Sequence, residues 1–169
     1  VPGEIFDSER AQAIAAAVSG QGGTASETRK PSRQSAPPLF DLTSLQREGN
    51  QRFGWSARRT LSAAQRCYER YKILTYPRTD SRCLPEDYRE TVDEVLTSLS
   101  QAQDHPGEGF ADYAAAAAQL RNDGLQNEKR TFDNSGVRDH FAIIPTGTLP
   151  HEELTGDNKR LYDLVTRRF

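Results

Sequence analysis

The stretch Ser56-Ala-Arg-Arg-Thr-Leu-Ser-Ala-Ala-Gln-Arg-Cys-Tyr-Glu-Arg-Tyr71 carries the clearest periodicity in this sequence. Ala57, Leu61, Ala64, Tyr68 and Tyr71 recur at steps of four and three, the spacing of one helix face. At 100° per residue, Arg59, Arg66 and Arg70 fall within about 40° of one another on the opposite side. Ser56 is the expected N-cap, and Gly54 just before it ends an earlier helix. That earlier helix is expected to open on a capping box formed by Thr43 and Gln46, with Leu42, Leu45, Gly49 and Phe53 on its buried side. Two helices joined by a short glycine turn, the second with an arginine stripe, have the layout of a helix-turn-helix. A plain αα-hairpin with a solvated charged face has the same pattern, and both readings stand at this point.

Working outward, the chain changes character at Pro37-Pro38. Upstream, Ser8 to Val18 is a short helical candidate capped by Ser8, and Gly20 to Pro38 is a Gly/Ser/Thr/Pro-rich linker with one possible strand over residues 24–30. Downstream, Pro85 opens a helix over Glu86 to Leu99, with acids crowded into its first turns. Phe110 to Leu120 contains five consecutive alanines and predicts another helix. Residues 122–136 read as polar loop, Phe141 to Ile144 as a short apolar run closed by Pro145, and Asp157 to Phe169 as a final helix. The expected fold is mainly α with a small β component.

The 169 residues make about one domain, with 35% hydrophobic and 27% charged residues. No apolar run reaches the ~18 residues needed to span a bilayer, and no signal peptide is visible. Cys67 and Cys83 are too few for a disulfide framework and form no CxxC pair, so reduced thiols in a cytosol are expected. Methionine is absent even at position 1, which points to a segment of a larger protein. The formal charge of −2 is unevenly spread: residues 29–82 hold twelve Lys/Arg against four acids, a net +8, and the rest carries −10. A basic central segment suits either a polyanion-facing surface or a solvated face.

Chemistry concentrates at Leu74-Thr-Tyr-Pro-Arg-Thr-Asp-Ser81. Pro77 ends any helix and pushes Tyr76 into extended backbone, where positions i and i+2 share a side. Tyr76 and Arg78 can then converge on one phosphate, the hydroxyl as nucleophile and the guanidinium as anion clamp. A phenol of pKa ~10 needs nearby positive charge for that role. The competing reading is a surface Tyr-Pro turn with a local Arg–Asp pair.

Several strings narrow the choice. Leu39-Phe-Asp-Leu-Thr-Ser-Leu-Gln-Arg-Glu48 is followed by Phe53-Gly-Trp-Ser-Ala57, Thr60-Leu61, Ala64-Gln65 and Tyr68-Glu69, and these lead into the Tyr76 string. Further on come Asp139-His-Phe-Ala-Ile-Ile-Pro-Thr146 and Leu161-Tyr-Asp-Leu-Val-Thr-Arg-Arg-Phe169. In this order, over residues 37–169, they resemble the type IA DNA topoisomerases, most closely the topoisomerase III branch.

That resemblance implies that residues 37–169 are the helical domain III carrying the active-site tyrosine, and that residues 1–36 are a stub of the arch-forming domain II with its hinge. Tyr76 matches the nucleophile, which forms a 5′-phosphotyrosine with a single-stranded segment of DNA and releases a 3′-hydroxyl without ATP. Arg78 matches the residue positioning the scissile phosphate, and His140 matches a histidine of the second motif near DNA or the active site. Gln65 and Glu69 match the helix leading to the nucleophile, and Thr79 stands within its motif. With the stripe Arg59, Arg66 and Arg70 they complete the expected DNA-binding set. Phe141 stands where many relatives carry a second histidine.

The resemblance places Mg²⁺ and its acidic cluster in a Toprim domain that is not in this sequence. No metal ligands are therefore expected here, the other domains of the parent enzyme are the expected protein partners, no membrane is involved, and the setting is the cytoplasm, at the bacterial nucleoid. The segment by itself is expected to cleave DNA poorly. The alternatives are a winged-helix-like DNA-binding module without covalent chemistry and a tyrosine recombinase. The latter is disfavoured because Tyr76 is central and a His-x-x-Arg spacing is lacking.

Overall fold

In a computed structural model of the chain, residues 5–32, 35–125 and 128–169 are described, the side chain of residue 128 excepted. The chain divides into two units, residues 1–35 and 36–169. The first contains one helix, α1 (Ser8–Val18), capped by the carboxylate of Asp7 rather than by Ser8 and with no buried residue. Asp7 accepts the Glu9 and Arg10 amides, a role in which a full negative charge outdoes a hydroxyl. Residues 24–30, where a strand was possible, carry no regular secondary structure.

The second unit is built from helices, with extended segments threaded between them. Helix α2 (Leu42–Phe53) and helix α3 (Ala57–Glu69) form the expected hairpin, turned by Gly54 at φ 67°. The capping box at α2 is Asp41 with Ser44, not Thr43 with Gln46. Phe40 is pinned by an antiparallel bridge to Ile143, so the helix starts two residues earlier than expected. Gln46 is thereby free to donate to the Ala57 carbonyl at 3.2 Å, tying α2 to the start of α3.

Helix α3 buries Thr60, Ala63, Ala64 and Cys67, a face rotated by roughly 70° from the one expected at 100° per residue. Small side chains let α2 approach closely: a Cβ on Gly49 would lie 2.9 Å from the Thr60 hydroxyl. The larger Leu61, Tyr68 and Tyr71 are left half-buried at the edge.

A 3₁₀ turn (Glu86–Tyr88) leads into α4 (Arg89–Ser100), which packs on the alanine-rich α5 (Phe110–Asp123). The expected polar loop contains a short helix, α6 (Glu128–Thr131), and a 3₁₀ turn (Asn134–Gly136). Helix α7 (Gly156–Arg168) closes the unit against α3. Among the described residues the β component is three isolated bridges, Phe40 with Ile143, Leu74 with Pro145 and Leu84 with Phe132. One core runs through the unit, centred on Phe40, Leu45, Trp55, Leu74, Ile143 and Leu161. Trp55 is 1% exposed and so belongs to the core; it offers no platform for stacking a base.

Candidate nucleic-acid site around Tyr76

The segment from Ile73 to Leu84 crosses the unit in extended form between two partners. Its Thr75 amide donates to the Ile144 carbonyl at 2.9 Å, and the Thr146 amide donates to the Ile73 carbonyl at 3.1 Å. The Thr75 hydroxyl donates to the Ala142 carbonyl and accepts the Ile144 amide. The same partner's Ala142 amide donates to the Cys83 carbonyl at 3.0 Å, and on the other flank the Leu42 amide donates to the Thr79 carbonyl at 3.0 Å.

Burial then alternates along the segment with period two, as an extended chain dictates. Pro77, Thr79 and Ser81 are buried, while Arg78 and Asp80 are exposed and Tyr76 is half-buried. The Thr79 hydroxyl donates to the His140 carbonyl at 2.9 Å and accepts the Ser81 amide at 3.0 Å. Ser81 donates to the Gly136 carbonyl at 2.7 Å.

The Tyr76 ring is held on two sides. Tyr68, from the last turns of α3, meets it edge-on with centroids 5.4 Å apart and planes at 78°. His140 packs against it at 4.3 Å and 45°. The Tyr76 hydroxyl takes no hydrogen bond among the described residues and is not a buried orphan. His140 also lines an open cleft beside the ring, facing Arg78 and Thr79, with Thr43 from the first turn of α2. Arg78 has no acidic partner among the described residues. Thus Tyr76, Arg78 and His140, expected together, share one locality, with His140 as the common neighbour.

Of the remaining expected DNA-binding residues, all but Thr79 lie outside the cleft. The stripe arginines are each engaged within the fold. Arg59 makes a two-point pair with Asp157 at 2.8 Å and stacks over Trp55. Arg66 donates to Asn158 and Ser62 at 2.8 and 2.7 Å, and Arg70 pairs with Glu152 at 2.8 Å. They hold α3 to the start of α7 and the loop before it. The Arg59 guanidinium hydrogen-bonded to Asp157 keeps that carboxyl below its usual range. Gln65 is half-buried on α3 and Glu69 is exposed on its last turn; neither lines the cleft. Thr79 lines the cleft, but its hydroxyl is committed to two backbone groups, so what it offers is the position of His140.

Five further residues shape the surroundings and are not among the expected site residues. The helix step puts Tyr68 on the apolar face of α3, and only the fold brings it against Tyr76. Arg138 and Asp80 form an ion pair at 3.3 Å at the edge of the cleft, and nothing in their local sequence announces a pairing over 58 positions. Asp41 is buried beneath Arg82, which pairs with it at 3.0 Å. Burial pushes the Asp41 carboxyl up, and the Ser44 hydroxyl and amide together with Arg82 outweigh it, leaving the group below its ordinary value.

The cleft does not fit a magnesium ion. Its carboxylates, Asp80 and Asp139, lie among Arg78, Arg138 and His140, whereas Mg²⁺ takes oxygen ligands in octahedral array. Among the described residues no group of three or more His, Cys, Asp or Glu side chains can hold a metal. A second groove, lined mainly by aliphatic side chains such as Leu39, Val92 and Leu96, shares no residue with the cleft. No β-hairpin that would serve as the wing of a winged helix occurs among the described residues. No helix among them is long and apolar enough to cross a membrane.

A family model described as DNA topoisomerase matches residues 2–169. The DNA topoisomerase 3 of Shouchella clausii is 40% identical over 168 residues, 98% of this chain and 22% of that protein. The DNA topoisomerase 3 of Bacillus cereus strain ATCC 14579 is 37% identical over 166 residues, 97% of this chain and 22% of its own length. That of Bacillus subtilis is 38% identical over 154 residues, 90% and 20% respectively. The chain therefore spans about a fifth of the length of these curated relatives. By the family match and these identities, the chain belongs to the DNA topoisomerase family, among the type IA enzymes of the topoisomerase 3 branch.

Proposed function

We propose that this chain supplies the nucleophile-bearing part of an enzyme that cuts and rejoins one DNA strand. In this reading the Tyr76 oxygen attacks a backbone phosphorus, its proton is lost, and the P–O3′ bond breaks. A 5′-phosphotyrosine and a free 3′-hydroxyl result; the return attack by that hydroxyl restores the strand. One phosphodiester is exchanged for another, so the reaction is balanced without ATP. Strand passage through the break would relax or decatenate DNA, in the bacterial cytoplasm at the nucleoid.

One observation carries the reading. The Tyr76 ring is fixed by Tyr68 and His140 while its hydroxyl is left without a partner among the described residues, and Arg78, two residues on, is exposed and has no acidic partner among them. A packing tyrosine with a buried hydroxyl would have found a hydrogen bond. Arg78 supplies positive charge and, with the His140 ring, hydrogen-bonding groups for an anionic phosphate. The stripe arginines can add longer-range attraction, since exposed ion pairs such as Arg70–Glu152 hold their partners weakly and yield to a phosphate.

Metal chemistry and protonation of the 3′-oxygen are assigned, in the same proposal, to a Toprim domain outside this sequence, and the remaining domains of the parent enzyme are the protein partners. The segment by itself is then expected to bind single-stranded DNA weakly and to cut it inefficiently. The test is Tyr76→Phe in a full-length topoisomerase carrying this chain. Relaxation and the covalent protein–DNA adduct should vanish while oligonucleotide binding persists. An adduct that survives the substitution overturns the assignment, as does efficient single-turnover cleavage for the claim about the isolated segment.

A further inference from the structure

Two exposed charged segments flank the cleft. On the Tyr76 segment, Arg78 and Asp80 are two residues apart and exposed; on the facing segment, Arg138 at the cleft edge precedes Asp139 and His140, which line it, and all three are exposed. The only ion pair between the two segments among the described residues joins Arg138 Nη1 to Asp80 Oδ2 at 3.3 Å, with side chains 80% and 70% exposed. This is a one-point contact in water, so it holds the guanidinium loosely and leaves most of its donor fork open. Neighbouring arginines are bound more closely: Arg59 by two oxygens of Asp157, Arg82 to the buried Asp41.

We infer that Arg138 is a phosphate-contacting residue of this site and that Asp80 is its resident competitor. Asp80 parks the guanidinium at the cleft edge until a strand phosphate displaces it. The contact is to a backbone phosphate of single-stranded DNA adjoining the one addressed by Arg78, and carries no base preference. The inference rests on the DNA reading above.

The experiment measures binding of a fluorescent single-stranded oligonucleotide to the 169-residue chain across a salt series, with circular dichroism confirming the fold of each variant. Arg138→Gln should weaken binding about three- to tenfold at low salt and reduce the slope of log affinity against log salt by about 0.7, one phosphate's worth. Arg138→Lys should restore the slope. Asp80→Asn should act in the opposite direction and tighten binding severalfold, and in the double variant Arg138→Gln/Asp80→Asn the slope should match that of Arg138→Gln. A merely structural ion pair would lower the melting temperature equally in both single variants and leave the slope alone. Unchanged slope in Arg138→Gln, or weaker binding in Asp80→Asn, overturns the inference while leaving the DNA reading intact. Absence of salt-dependent binding by the unmodified chain overturns both.

Discussion

Thr79 shows how one side chain can shape a site without facing its ligand. It is 7% exposed, and its hydroxyl joins the His140 carbonyl to the Ser81 amide. Thr79→Val keeps the volume and removes the hydroxyl, leaving two backbone groups unsatisfied. A loss of about 1–3 kcal/mol in denaturant unfolding is expected, with reduced adduct formation in the full-length enzyme because His140 is no longer held. A second residue-scale outcome concerns the thiols. Burial, only slightly opposed by Arg66, pushes Cys67 up to about 12, so it should resist Ellman's reagent at pH 8 until the protein unfolds.

At the scale of elements, the start of α2 is the informative case. Asp41 caps the helix, pairs with Arg82 and carries a carboxyl below its ordinary value. A lowered folded-state value means that the unfolded chain binds the proton more readily. The stabilisation is therefore complete above the unfolded value near 3.8 and is lost as pH falls through the folded one. Thermal melts of the wild type should drop below about pH 4, and Asp41→Asn should flatten that part of the curve. Asp41→Ala should cost about 1 kcal/mol for the cap alone.

The turn of the first hairpin was readable because its signals are local, in Gly54 and Ser56, whereas the cap of α2 at Asp41 depends on the bridge that pins Phe40 and lies two residues earlier than expected. The buried face of α3 was not readable, because hydropathy favours Leu61 and Tyr68 while close approach to Gly49 selects Thr60, Ala63 and Cys67. The fate of the arginine stripe was equally hidden, since its partners Asp157, Asn158 and Glu152 are 98, 92 and 82 positions away. Within the site, Tyr76, Arg78 and His140 were found through motif and alternation. Tyr68 and Arg138 needed the fold to bring them there.

For the molecule as a whole, residues 36–169 contain the entire contiguous core, and α1 buries nothing. A chain beginning at Ala36 should melt within about 2 °C of the 169-residue protein and bind the same oligonucleotide, as scanning calorimetry and anisotropy can check. A markedly lower melting temperature would show that the first 35 residues support the core.

The double-sided pinning of the Tyr76 segment has a mechanical consequence. Backbone hydrogen bonds to Leu42 on one flank and to residues 142–146 on the other hold the segment on both sides of Tyr76. Under the proposed function, Tyr76 would ride on a stiff bench, and a strand would be admitted and released by other parts of the enzyme moving towards that bench and away again.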